Sequence, residues 1–158
     1  YFDISRDENG NPLLNEYGNP ISYNKYNHNG GLTVLESTDD AAIVHMGSQY
    51  RMPTETEIQE LKNNTTQTFI DVDGNEYSLE ETQNGAIESG KLKGVRFTGS
   101  NGNSIFIPAA GMCEGSFLGM IGVEICYWTS SFSGTDIYGF ILHYTFDGPS
   151  GLNLCVRY

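Results

Sequence analysis

Three cysteines are the side chains of this sequence best suited to hold a metal ion. Cys113, Cys126 and Cys155 all lie in the last third of the chain. Thiolate and imidazole are the usual ligands of zinc, so His143 is the natural fourth ligand for such a site. However, successive cysteines lie far apart and form no Cys-x-x-Cys pair, a pattern that favours buried or incidental thiols. Their odd number also argues against a disulfide framework.

A second candidate for metal binding is the segment 71–76, whose sequence Asp-Val-Asp-Gly-Asn-Glu opens like a calcium loop. A complete loop ends in a bidentate glutamate at its twelfth position, which is Thr82 in this chain. Glu80 and Glu81 are close by but out of register. Because Asp-Gly is also a common hairpin turn, we predict a turn at this segment.

The sequence carries no pattern typical of an enzyme. It contains no nucleophile elbow, P-loop, His-Glu-x-x-His motif or dinucleotide fingerprint. Its three histidines, His28, His45 and His143, are scattered. The chain has twenty carboxylate side chains, but nothing in their spacing pairs two of them across a cleft. We therefore predict a protein that is not an enzyme and uses neither a cofactor nor a metal.

Composition and charge exclude several classes of binding partner. The length of 158 residues suits one domain, and contents of 38% hydrophobic and 12% aromatic residues exclude a disordered chain. No apolar run approaches the roughly 18 residues of a membrane-spanning helix. A net charge of −12 repels nucleic acid and anionic membranes. We therefore predict no nucleic-acid partner and no membrane insertion.

Two helices are predicted before a series of short strands. The first covers roughly 39–46, with Ser37 or Thr38 as its N-cap, and the second covers 54–62, where Thr54 begins a capping-box pattern. The strands are predicted at 95–98, 104–107, 127–129, 138–146 and 154–158. Residues 63–94 are polar and rich in glycine, which suggests a surface excursion with one hairpin. This order predicts an α+β fold.

The segment 111–126 carries large apolar residues between many glycines, which suggests a long loop. In the strand after it, Tyr138, Leu142 and Tyr144 are on the face predicted to enter the core, and His143 is on the other. Two interpretations remain open. The loop either forms an exposed apolar binding surface with the outer face of that strand or folds over and completes the core.

Five pieces of the sequence resemble one family in order and composition. They are residues 39–42 (DDAA), 50–57 (YRMPTETE), 97–111 (FTGSNGNSIFIPAAG), 127–131 (YWTSS) and 155–157 (CVR). Together they are similar to the Fibrobacter succinogenes major paralogous domain, which is abundant in surface and phage-associated proteins of gut Bacteroidetes. The resemblance covers residues 39–158 firmly and residues 1–38 loosely.

The resemblance implies a C-type-lectin-like fold, with two helices packed on short, mostly antiparallel strands and with long loops. It implies one domain over residues 1–158, with an incomplete N-terminal edge and an insertion at 70–93. The signatures of calcium-dependent sugar binding, Glu-Pro-Asn and Trp-Asn-Asp, are absent. The catalytic cysteine pair of the related formylglycine-generating enzymes has no counterpart either, so their activity is not carried over.

Proteins diversified by retroelements also resemble this chain, because they hold variable surface residues on a fixed framework. Here the framework-like pieces are separated by residues at places where small or polar side chains would be expected. We therefore put forward the hypothesis of a C-terminal recognition surface that is diversified by a retroelement. The predicted surface consists of Met112, Cys113, Glu114, Leu118, Met120, Glu124, Ile125, Cys126, Asp136, Ile137, Ile141, His143, Leu152 and Leu154.

These observations lead to a prediction of function and an alternative. We expect a non-enzymatic ligand-binding or adhesion domain that is extracellular, at a cell surface or on a virion. Its ligand would be a protein or glycan on a cell surface, and homo-oligomerisation stays open. The alternative is a structural assembly domain of a surface appendage or phage tail fibre.

Overall fold

A computed structural model gives the fold and describes residues 6–14, 16–18, 25–26, 31–114, 116–132, 138–144 and 152–156. The helices of this described part are α1 Ala41–Met46, α2 Glu55–Asn64 and α3 Leu79–Gln83. Its strands are β1 Thr65–Asp71, β2 Glu76–Tyr77, β3 Leu92–Gly99, β4 Ser104–Pro108, β5 Met112–Glu114, β6 Phe117–Gly119, β7 Ile125–Phe132, β8 Tyr138–Tyr144 and β9 Leu152–Val156. The predicted α+β class is confirmed, with few helices and antiparallel sheets. Among the described helices, none has the length and apolar character needed to cross a membrane.

The chain divides into two compact units. The first contains Tyr1–Glu55, Trp128–Ile141 and Leu154–Tyr158, and the second contains Thr56–Tyr127 and Leu142–Asn153. The strands β7, β8 and β9 form a three-stranded sheet in that order. The candidate site described below belongs to the second unit.

In the first unit, helix α1 begins later than predicted. Its N-cap is the buried Asp40, which accepts hydrogen bonds from the backbone N–H groups of Ala42 and Ile43 at 2.9 and 3.2 Å. The prediction of Ser37 or Thr38 as the N-cap is wrong, because residues 37–39 form a turn closed by Asp40 N–H on the Glu36 carbonyl. The second predicted helix is confirmed as α2.

The second unit is built on a four-stranded antiparallel sheet of order β2–β1–β3–β4. The register places Phe69 opposite Val95 and Phe97 opposite Ile105, so these four side chains share one face of the sheet. That face carries the hydrophobic core, whose buried members are Ile58, Phe69, Ile87, Leu92, Val95, Phe97, Ala109, Ile125, Leu142 and Tyr144. The other face is largely polar, as is typical of an antiparallel sheet with one solvated side.

The prediction that residues 63–94 form a surface excursion is wrong. Strand β1 lies inside the sheet between β2 and β3, and its Phe69 is only 2% exposed. Ile87 and Leu92, from the same segment, are also buried. The segment looked superficial because β1 is rich in threonine, yet its buried face carries one large apolar side chain, Phe69, together with the buried Asp71.

Two predictions about the later strands are confirmed. Strands β3 and β4 form an antiparallel hairpin around the turn at 99–103, in which Gly102 has a φ of +82°. In β8, the side chains of Leu142 and Tyr144 are buried, as expected for the core-facing positions. Tyr144 also makes an edge-to-face contact with Phe69, with ring centroids 5.4 Å apart, so β8 packs on β1 within the second unit.

Candidate functional site

The segment 111–126, predicted as a long loop, contains a short β-hairpin. Strand β5 pairs with β6 in a register that places Cys113 opposite Leu118 and Glu114 opposite Phe117. The chain then turns at Met120, whose carbonyl accepts the N–H groups of Val123 and Glu124 at 3.0 and 2.9 Å. We call residues 112–121 the apolar hairpin.

Backbone hydrogen bonds fix the base of the apolar hairpin to the rest of the second unit. Gly111 N–H donates to the Glu124 carbonyl at 3.1 Å, and Gly122 N–H donates to the Ala109 carbonyl at 3.0 Å. The Gly122 carbonyl accepts from Leu92 N–H, also at 3.0 Å. Because Leu92 and Ala109 are core residues, the two ends of the hairpin are anchored on the packed sheet.

The two glycines at this base are required by the backbone conformation and by close contacts. Both have a φ of +73°, a region that other L-residues occupy only at a cost. A Cβ atom on Gly111 would lie 2.1 Å from the Gly119 carbonyl oxygen, and one on Gly122 would lie 2.6 Å from the Gly90 carbonyl oxygen. These neighbours are backbone atoms, so the hairpin can keep its position only if both residues remain glycine.

The apolar hairpin displays large hydrophobic side chains to solvent. Phe117, Leu118, Met120 and Ile121 are 59, 62, 47 and 60% exposed, and Cys113 is exposed beside them. The ring of Phe117 folds over Gly119, where a Cβ atom would lie 2.4 Å from the ring. Large exposed apolar patches are uncommon on monomeric proteins, so this cluster is the candidate for an interaction surface.

A contact between a histidine and a carboxylate lies beside the base of the hairpin. His143 Nε2 is 3.5 Å from Glu124 Oε2, and both side chains are less than one-fifth exposed. The backbone of Glu124 accepts the Gly111 N–H and donates to the Met120 carbonyl, so this residue belongs to the anchoring network of the hairpin. Both residues were predicted for the recognition surface, but their partial burial gives them a supporting position.

Apart from Ile125, the predicted site residues fall into three groups. The structure brings eight of them into the second unit, on the apolar hairpin, in the turn that follows it or on the strands β7 and β8: Met112, Cys113, Glu114, Leu118, Met120, Glu124, Cys126 and His143. Asp136 and Ile137 lie outside the described residues. Ile141, Leu152 and Leu154 lie within β8 and β9, and of these three residues the structure describes the backbone only.

The prediction that Ile125 lies on the surface is wrong. Ile125 is 0% exposed and belongs to the core, because it is the first residue of β7 and forms a parallel bridge with Gly111. Both interpretations of the segment therefore hold for different residues, since Ile125 completes the core while the hairpin stays exposed. Sequence reasoning missed Phe117 and Ile121. The sequence did carry a signal for these two residues. They belong to the run Phe117–Ile121, which has four large apolar residues around one glycine.

The described residues contain no group of three or more His, Cys, Asp or Glu side chains arranged to hold a metal ion. Within this part of the chain Cys113 and Cys126 form no disulfide. Asp71, which would be the first ligand of a calcium loop, already accepts four hydrogen bonds from protein groups. Its donors are the N–H groups of Asp73 and Asn75, the Asn75 amide and the Tyr77 hydroxyl, at 2.8–3.1 Å. The predicted turn is confirmed as the connection from β1 to β2.

The turn at Asp71 predicts a loss of stability in acid. The hydrogen bond from the Asn75 side chain, assisted by the other donors, lowers the pKa of the Asp71 carboxyl below its ordinary value. A carboxyl whose pKa is lower in the folded state stabilises the fold above its unfolded-state pKa of about 3.9, and this stabilisation is lost as pH falls through the folded-state value. We expect the melting temperature of Asp71→Asn to fall less than that of the wild type between about pH 6 and pH 3.

The control for this experiment is Asp73→Asn, a change two residues away at an exposed position. Its melting temperature should follow the pH dependence of the wild type. Thermal unfolding monitored by circular dichroism measures all three proteins. Equal pH dependence in Asp71→Asn and Asp73→Asn would contradict the role given to the Asp71 carboxylate.

Comparison of this chain with known protein families, curated proteins and solved structures gives no match. The family resemblance and the C-type-lectin-like fold therefore rest on the sequence pieces that suggested them.

Proposed function

We propose that this protein is a non-enzymatic ligand-binding or adhesion domain whose apolar hairpin is the recognition surface. One observation carries the proposal: four large apolar side chains are about half exposed or more on a hairpin whose two ends are anchored by backbone hydrogen bonds to the core. Binding residues are typically found on loops held by a rigid scaffold, because a fixed geometry lowers the entropy lost on association.

The chemistry of the hairpin favours a protein ligand over a glycan. The exposed groups Leu118, Met120 and Ile121 offer no hydrogen-bonding side chain, and burial of apolar area is their means of binding. A methionine adds a side chain that adapts to irregular partner surfaces. The net charge of −12 repels strongly acidic proteins and so disfavours them as partners. We therefore propose an apolar patch on a cell-surface protein as the ligand, and an extracellular, cell-surface or virion-surface location for this domain.

The proposal includes the C-type-lectin-like framework and its diversification by a retroelement. Exposed positions such as Cys113 and Leu118 should accept many side chains, whereas Gly111, Gly122 and Ile125 should not. Diversification would therefore change the first group and spare the second. Sequencing many copies of the gene in its source community, with the neighbouring DNA, would show whether substitutions follow this pattern.

A cell-binding experiment tests the proposed function. Fluorescently labelled wild type is compared with the variant F117S/L118S/I121S on a panel of intact gut bacterial cells by flow cytometry. The matched control is V44S/V72S, which removes apolar groups that are also about half exposed but lie outside the hairpin. We expect the hairpin variant to bind at least about tenfold less, since loss of central apolar anchors removes most of the binding energy.

Equal binding by the hairpin variant and the wild type would contradict the proposed function. The same variants address the alternative of a structural assembly domain. If the wild type forms an oligomer that the hairpin variant cannot form, and neither binds cells, the apolar hairpin is an assembly contact.

A further inference from the structure

Strand β4 is an edge of the four-stranded sheet. Among the residues that the structure describes, the sheet order is β2–β1–β3–β4, so β4 is paired there on one side only, by β3. The other edge strand, β2, has only two residues, whereas β4 has five, Ser104–Pro108. Within the described part of the chain, β4 is therefore the longer of the two edge strands of this sheet.

The ladder identifies the backbone groups of β4 that point outward. Gly99 N–H donates to the Asn103 carbonyl at 2.9 Å, and Ala109 N–H donates to the Lys93 carbonyl at 2.9 Å. In an antiparallel ladder, hydrogen-bonded pairs alternate with non-hydrogen-bonded ones, so Ile105 and Ile107 also direct their N–H and C=O groups toward β3. The N–H and C=O groups of Ser104 and Phe106 consequently point away from the sheet.

This edge lacks the features that normally prevent strand pairing. Natural edge strands are protected by charged side chains, prolines or bulges. β4 contains no charged residue, and its single proline, Pro108, is at the end of the strand. Ile105 and Phe106 are 52 and 44% exposed, so the edge is apolar as well as open. Such an edge is a template for another strand.

We propose that β4 pairs in antiparallel orientation with β4 of a second copy of this chain, forming a symmetric dimer with a continuous eight-stranded sheet. The two-fold axis passes beside Ile105. The N–H of Ser104 then donates to the carbonyl of Phe106 of the second copy, and the N–H of that Phe106 donates to the Ser104 carbonyl. By symmetry, Phe106 of the first copy forms the same two bonds with Ser104 of the second copy. The four outward-pointing groups of Ser104 and Phe106 on each edge find a partner, and the two Ile105 side chains face each other.

Pro108 determines this register. It has no N–H group, and its carbonyl already accepts a hydrogen bond from the Tyr127 hydroxyl at 3.3 Å. A register centred on Phe106 would place Ser104 opposite Pro108, and the Ser104 carbonyl would then lack a donor. In the register centred on Ile105, every outward N–H and C=O group of Ser104 and Phe106 forms a hydrogen bond.

The second copy fits this edge because the edge is complementary to itself in donors, acceptors and apolar side chains. The net charge of −12 on each chain opposes association. Since β4 itself is uncharged, this repulsion is long-range, and salt weakens it. The dimer should therefore become tighter as ionic strength rises, whereas an interface made of ion pairs would become weaker.

Analytical ultracentrifugation tests the proposal with the full chain at concentrations from about 10 µM to about 1 mM, a range suited to a small interface. The wild type should dimerise, more tightly in about 0.5 M salt than in about 0.1 M salt. Ser104→Pro removes one outward N–H without removing a bond to β3, and Ile105→Lys places two like charges opposite each other. Both should dimerise at least about tenfold more weakly.

Leu118→Lys is the matched control, since it adds the same charge at an exposed position of the apolar hairpin. It should dimerise like the wild type, which separates this proposal from the proposed function of the hairpin. Far-ultraviolet circular dichroism verifies that each variant is folded. A wild type that stays monomeric over the whole range, or a dimer that survives in either folded edge variant, would overturn the proposal. Loss of the dimer in Leu118→Lys alone would assign the contact to the hairpin and also overturn it.

A cross-link provides an independent readout of the register. The Cα atoms of facing residues at a non-hydrogen-bonded position lie about 4.5 Å apart, which is within the range of a disulfide. Ile105→Cys should therefore form a covalent dimer under mild oxidation, beyond the background given by the native cysteines of the wild type. No increase over that background would contradict pairing about Ile105.

Discussion

Replacing Gly111 by alanine is expected to abolish binding to cells and to lower the free energy of unfolding by about 2–4 kcal/mol. The new Cβ atom would lie 2.1 Å from the Gly119 carbonyl oxygen and 2.7 Å from the Ile121 nitrogen. Both are backbone atoms of the apolar hairpin or of its turn, so the hairpin must move away from its anchor. The positive φ of Gly111 adds a conformational cost.

Gly102→Ala is the matched control for this substitution. Gly102 also has a positive φ, of +82°, but a Cβ atom there would meet nothing within 4 Å. We expect it to cost only about 1 kcal/mol and to leave binding unchanged. Chemical denaturation measures stability and flow cytometry measures binding. If Gly111→Ala binds cells as well as Gly102→Ala does, the anchored geometry of the hairpin is not required for recognition.

The second large effect is expected at Phe69. Truncation of this core side chain to alanine should lower the free energy of unfolding by about 3–5 kcal/mol. Phe69 is 2% exposed, pairs with Val95 across the sheet and contacts the ring of Tyr144, so its removal leaves a cavity among rigid neighbours. The melting temperature should fall by about 10 °C.

Val72→Ala tests whether this effect depends on burial. Val72 is three residues further along the chain, in the turn after β1, and is 51% exposed. Its replacement should change stability by less than about 0.5 kcal/mol. Similar small losses in the two variants would mean that β1 lies outside the core, as the sequence alone had suggested for residues 63–94.

The sequence predicted those elements whose apolar spacing and turn residues agree. The second helix, the β3–β4 hairpin, the turn at 71–76 and the buried face of β8 all followed from local patterns. The position of β1 could not be predicted because a threonine-rich strand carries a weak period-two signal, and its place in the centre of a sheet is decided by long-range pairing.

The sequence singled out the segment 111–126 but could not assign its residues one by one. Its richness in glycine and large apolar residues left an exposed surface and a loop completing the core both open, and the structure places an exposed apolar hairpin and the buried Ile125 there. Sequence alone could not separate Ile125 from its neighbours, because a short apolar run has no period that tells the buried positions from the exposed ones. The contacts that distinguish them are the bridge from Ile125 to Gly111 and the backbone bonds at the hairpin base.

The central claim is that exposed residues of the apolar hairpin recognise the ligand while the residues at its base hold the hairpin in place. Saturation mutagenesis of residues 109–126 in a displayed form of the chain tests this claim most directly, with display level and cell binding measured for each substitution. Substitutions at Phe117, Leu118, Met120 and Ile121 should preserve display and reduce binding, and those at Gly111, Gly122 and Ile125 should reduce both. Binding that tolerates changes at the four exposed positions as well as it tolerates changes at Val44 and Val72 would contradict the claim.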